Sequence, residues 1–297
     1  MKNTLSLLTA LALAVGAAPA LASESGGDNI GPGADGFFVA PLDVDNLPAH
    51  LFAFSIYTNR YTADEFGALP GFDAKVTAIV PRIDYLSPVK LLGGRLGVYV
   101  NLPHIKQQVT IAGFGMQDEE SGQGDITVAP AIVWGKGKNL SIAAALEITK
   151  PTGTYDAARL ANTSTNYTTY KPVFPVTWQP TDKLEVSGKF TYSFNQTNPD
   201  TDYRSGSIAH LDYSLSYQAL SNLHVGVNGY FLKQLSDDTV SGVEVGNRGK
   251  AAAIGPALYF TFLKYASAEL RWEKEFSVEN RPKGTNVWAK VSVPWGM

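Results

Sequence analysis

The sequence predicts an all-β fold, a closed antiparallel transmembrane β-barrel of about 12 strands with short periplasmic turns and longer extracellular loops. Three observations predict it. Runs rich in β-branched and aromatic residues alternate with turn-forming clusters from residue 50 to the end of the chain. Apolar and polar side chains alternate with period two inside those runs. The connections between runs are short and long by turns, an asymmetry that a soluble sandwich does not need.

The first element is residues 1–22. Lys2, an apolar run from Leu5 to Val15, and Ala20-Leu21-Ala22 have the layout of a cleaved secretory signal, with cleavage after Ala22. The apolar run is too short to span a bilayer, which takes roughly 20 residues. Residues 23–49, rich in Gly, Pro, Asp and Asn, read as an N-terminal arm or plug, and residues 50–297 as the barrel.

The predicted strands cover residues 50–61, 73–86, 95–111, 124–134, 140–151, 167–179, 184–195, 206–217, 223–235, 250–261, 266–275 and 285–295. Most exceed the usual soluble strand and suit the roughly 9–11 residues that a tilted membrane strand needs. In LEVSGKFTYSFN, residues 184–195, Leu184, Val186, Phe190, Tyr192 and Phe194 share one face, opposite Glu185, Ser187, Lys189, Thr191 and Ser193. The second run is the least regular, and its slip in phase near Pro81 predicts a bulge there.

Which face turns inward follows from composition. Charged residues make up 17% of the chain, against roughly 25% in soluble domains. That is too few to coat the outside of so many strands, so the polar faces are expected to enclose a wet lumen. Trp134, Trp178, Tyr217, Phe260 and Trp295 each hold an outward position beside a short turn or the C-terminus, as a membrane-interface girdle requires.

The same phase assigns Lys75, Arg82, Asp84, Arg95, Asp125, Glu147, Glu185, Lys189, Asp212, Glu269, Arg271, Glu273 and Lys290 to the lumen lining. A 12-strand barrel has a backbone radius of about 12 Å, so a constricted or plugged lumen is expected. Charges of both signs there can pair with one another or set a field that selects permeants.

Other chemistry finds little support. With no cysteine and a net charge of -3, neither a disulfide framework nor a nucleic-acid surface is expected. His50, His104, His210 and His224 show no metal-ligand spacing, and no cofactor is expected. Asp118-Glu119-Glu120 and Asp237-Asp238 read as solvated acids of outer loops, and Gly122-Gln123-Gly124-Asp125 as a loop entering a strand. A barrel lipase would need neighbouring His and Ser at the lipid-facing rim, whereas His210 and Ser214 both fall on the polar face. The chain is therefore not expected to be an enzyme. The leading expectation is a passive, substrate-selective channel, and the alternative is a sealed barrel whose outer loops, such as residues 152–166, bind envelope components or surface ligands.

Glu24-Ser25-Gly26-Gly27, Gly31-Pro32-Gly33, Leu47-Pro48, GQGDITVAPAIVW at 122–134 and ITKPTGTYD at 148–156 together resemble a known family. It is the family of outer-membrane β-barrels associated with meta-pathway phenol degradation, often called simply transporters. The chain departs from its pattern in Ser25 and in ending Trp295-Gly296-Met297. The resemblance implies an outer-membrane location in a Gram-negative bacterium and passage of small solutes, aromatic or hydrophobic ones among the candidates. Expected partners are outer-membrane lipid and lipopolysaccharide, the barrel-assembly machinery and a small-molecule permeant.

Overall fold

A computed structural model describes Glu24, Asp28 and residues 31–34, 44–136, 139–262 and 266–296. The expected signal segment and its cleavage site lie outside the described residues. In chain order the strands are β1 (Leu51–Glu65), β2 (Phe72–Leu91), β3 (Gly94–Asn101), β4 (His104–Ile111), β5 (Met116–Gln123) and β6 (Ile126–Lys136). They continue as β7 (Leu140–Lys150), β8 (Thr169–Trp178), β9 (Leu184–Asn195), β10 (Tyr203–Arg204), β11 (Ile208–Leu220) and β12 (Leu223–Gln234). The last are β13 (Asp238–Val240), β14 (Val243–Gly246), β15 (Lys250–Phe262), β16 (Ala266–Glu279) and β17 (Lys283–Gly296).

Twelve staves close into a ring in the order β1, β2, β3, β6, β7, β8, β9, β11, β12, β15, β16, β17, with β1 hydrogen-bonded to both β2 and β17. Closure leaves no sheet edge in the ring, which lipid demands because an unpaired backbone group there costs several kcal/mol. Burial is inverted relative to a soluble protein. Arg271 and Asp212 are fully buried, while Phe190, Leu215 and Trp272 are over 40% exposed. The fold is thus a transmembrane β-barrel, with the polar face of each stave inside.

Tight turns fit the short rim. Leu92 and Gly93 join β2 to β3 with φ of 51° and 79°, the two left-handed residues of a hairpin turn that matches strand twist. On the outward face at this rim stand Trp178, Tyr217, Phe260 and Trp295, each over 40% exposed. Trp295 stacks on Phe52 across the β1–β17 closure. Trp134 is half-buried and donates its indole N–H to the Leu92 carbonyl at 3.0 Å.

Several expectations need correction. The β1–β2 register runs unbroken from Leu51↔Leu86 to Ala63↔Ala74, so Pro81 carries no bulge in that pairing. The change of pattern has another cause: β2 rises above the lipid, and there its outward residues are Asp73, Lys75 and Thr77, while Phe72, Ala74, Val76, Ala78 and Val80 turn inward. Lys75 accordingly lies outside the barrel, exposed and paired with Asp73 at 2.9 Å, not in the lumen.

The expected strand 95–111 breaks at Leu102-Pro103 into β3 and β4, and the stretch ahead of Gly124 is not a plain loop but β5, paired with β4. This β4–β5 hairpin is polar on its outer face, with His104, Lys106, Gln117, Glu119 and Gln123 exposed, so it projects beyond the membrane. Asp118 and Glu120 are not freely solvated but turn inward. The outer loops also carry a small sheet, β10-β13-β14, that no periodicity signalled.

Candidate functional site

The described residues of the N-terminal arm succeed one another down the lumen. At the outer mouth the Glu24 carboxylate accepts hydrogen bonds from Tyr155 (3.0 Å), Asn198 (2.7 Å) and Thr201 (2.6 Å). Burial and the Glu24 carboxylate push the Tyr155 phenol up to about 12, so it remains a donor at physiological pH. Asp28 pairs with Arg281 at 2.7 Å. At mid-height the Gly33 N–H donates to Asp212 (2.9 Å), and Arg271 donates to the Gly33 and Ala34 carbonyls. At the inner rim Arg95 donates to the carbonyls of Val44, Pro48 and Ala49.

Gly33 has φ of +76°, and a Cβ there would run into the Glu273 carboxylate. That left-handed backbone favours glycine.

Loop 151–168 folds into the mouth instead of standing out from it. Leu160 and the fully buried Ala161 pack with Phe66, Phe72 and Val109. Asp125 accepts the N–H groups of Thr152, Gly153 and Thr165, pinning both ends of the loop to the start of β6. Arg159 binds Asp118 and Glu120 across to β5.

Arg159, with help from the Ala161 and Glu119 N–H groups, holds the Asp118 carboxyl down to about 2, against a smaller opposing effect of burial. A depressed carboxylate contributes stability that is complete above its unfolded value of about 3.9. The contribution is lost as pH falls through about 2. Protection against hydrogen exchange in residues 152–166, corrected for the intrinsic pH dependence of exchange, should therefore be high at pH 6 and fall between about pH 4 and 2. In Arg159→Ala it should already be low at pH 6.

Between loop, arm and wall lies a chamber of about 510 Å³ in the outer half of the lumen. Its walls differ. Val76, Ala78 and Val80 of β2 and Ile105, Val109 and Ile111 of β4 make one wall, apolar except for Gln107. Facing them are Asp125, Thr127, Glu147, Thr149, Lys171 and Lys189, with Tyr57, Asn59 and Trp288 to one side. The apolar wall stands where the staves leave the membrane, the level at which inward and outward polarity exchange.

The cations lining the chamber are matched. Arg82 forks onto Asp84 (2.7 Å) and lies 3.7 Å over the Tyr99 ring. Lys171 meets Glu147 at 2.8 Å, where Glu147 also accepts from Tyr99. Lys189 lies 3.6 Å from Asp212, and Arg281 reaches Asp28. Charges in so confined a space are stable only when paired or hydrated; Glu24, Asp125 and Glu275, which also line the chamber, accept hydrogen bonds from uncharged groups, so the lining is net acidic.

Twelve of the residues expected in the lumen thus lie on the interior side, and Lys75 does not. Arg82, Asp125, Glu147 and Lys189 line the chamber, while Asp212, Arg271 and Arg95 hold the arm. Glu269 binds Lys290 at 3.1 Å, Glu185 accepts from Ser187, and Asn228 donates to Glu273. The residues that sequence reasoning missed are the apolar ones of β2 and β4. The phase slip near Pro81 was their signal.

The profile of a family described as "Putative MetA-pathway of phenol degradation" matches residues 58–291. The chain belongs to this family. No curated protein matches it. Among solved structures, the COG4313 outer membrane channel from Pseudomonas putida F1 is similar, with 17% identity, TM-score 0.72, and 86% of this chain and 100% of that one covered. The β domain of the Bordetella autotransporter BrkA is similar at 10% identity and TM-score 0.50, covering 83% of this chain and 100% of its own. These likenesses show the outer-membrane barrel fold of this phenol-degradation family member.

Proposed function

We propose that the protein is an outer-membrane channel through which small amphipathic solutes, aromatic ones in particular, diffuse passively. The observation that carries this reading is the apolar wall of the chamber, set in an otherwise polar lumen whose cations are paired. Every described cation of the lining is paired, which gives no reason to retain anions. An apolar wall facing hydroxyl, amide and carboxylate groups suits a molecule with a ring and a polar substituent. Burying a benzene-sized ring there is worth about 2–3 kcal/mol. That is an enrichment of about a hundredfold, large enough to favour entry and weak enough to permit exit. The phenol-degradation family supplies a setting in which such solutes are wanted.

Liposome flux of benzoate, phenol, sugars and amino acids, corrected for protein-free vesicles, tests the reading. Aromatic flux should exceed that of sugars and amino acids of comparable size. Equal flux for all classes, or none for any, would exclude it.

A further inference from the structure

We infer that the outer face of β12, β15 and β16 carries a site for the phosphate of an outer-leaflet lipid headgroup. Lys233 of β12 and Lys250 of β15 are direct cross-strand partners. Directly opposed residues share a face of the sheet, and like charges so placed repel. The face is the outer one, because Phe231, two residues below Lys233, is 51% exposed and forms the top of the apolar belt with Phe276.

Only part of this positive charge is answered. Glu279 meets Lys250 at 2.6 Å, and Asp237 takes Nε and Nη2 of Arg248 at 2.7 and 3.1 Å. Lys233 makes no ion pair among the described residues, and Arg248 keeps its Nη1 hydrogens for another acceptor. A recess of about 370 Å³ opens between Lys233, Leu235, Arg248, Lys250 and Glu279.

Height selects the ligand. The cluster sits one step above the belt, where headgroups lie, and exposed Phe231 borders it on the apolar side. Phosphate offers several acceptor oxygens to ammonium and guanidinium donors at once, and such charge-assisted bonds are the strong ones. The acyl chains of the same molecule would then lie along Phe231 and Phe276. The site depends on the transmembrane fold and is independent of what the lumen carries.

Native mass spectrometry of the full-length barrel in detergent, with bisphosphorylated lipid A as probe, tests the site. The wild type should retain the lipid, and Lys233→Gln/Lys250→Gln should retain about tenfold less. Lys75→Gln, on the outer face elsewhere, should bind as the wild type does. Heat-dependent gel mobility confirms that each variant is a folded barrel. Equal retention by the double variant, equal binding of dephosphorylated lipid A, or displacement by equimolar inorganic phosphate would each overturn the proposal.

Discussion

Replacing Arg271 by glutamine should raise single-channel conductance several-fold and lower stability by about 3–5 kcal/mol, the usual cost of breaking a buried charge arrangement. Arg271 is fully buried, lies 3.7 Å from Glu269 and donates to two successive carbonyls of the arm. Without it the arm loses its mid-lumen anchor, and Glu273 loses a neighbouring cation. Gly33→Ala should raise conductance by a different route, because the new methyl group would meet the Glu273 carboxylate. Planar-bilayer recording and the temperature at which gel mobility shifts measure the two effects. Unchanged conductance in both variants would mean that the arm does not control passage.

The second large effect is expected at the apolar wall. Val76→Asp or Val80→Asp should cut aromatic flux into liposomes about tenfold or more while leaving sugar flux near its original value. Each side chain faces the chamber, and a hydrated carboxylate there removes most of the 2–3 kcal/mol that a buried ring gains. The barrel should still fold, since neither residue touches lipid. Proportional loss of sugar flux would point to a blocked mouth instead of a lost binding wall.

Much of this architecture could be read from the chain. Alternation in residues 184–195 matches the inward Lys189 and the exposed Phe190 of β9, and the outward rings beside short turns mark one rim. Alternation states which residues share a face, but not what that face meets. Lys75 shows the limit: above the lipid the outside is polar and the chamber wall apolar, so the rule that places Lys189 correctly misplaces Lys75. Asp118 and Glu120 look like loop acids because nothing near them in sequence announces Arg159. The arm is the extreme case. Arg271 and Gly33 are 238 residues apart, and their contact exists only once the barrel closes around both.

Methyl resonances of the folded protein in detergent test the central claim most directly, that solute occupies the apolar-walled chamber. On titration with phenol, signals of Val76, Val80, Ile105 and Val109 should shift together and saturate, while the outward Val186, Val225 and Val291 should not. Saturable shifts confined to the outward set, or no saturable shift at the chamber wall, would contradict the account.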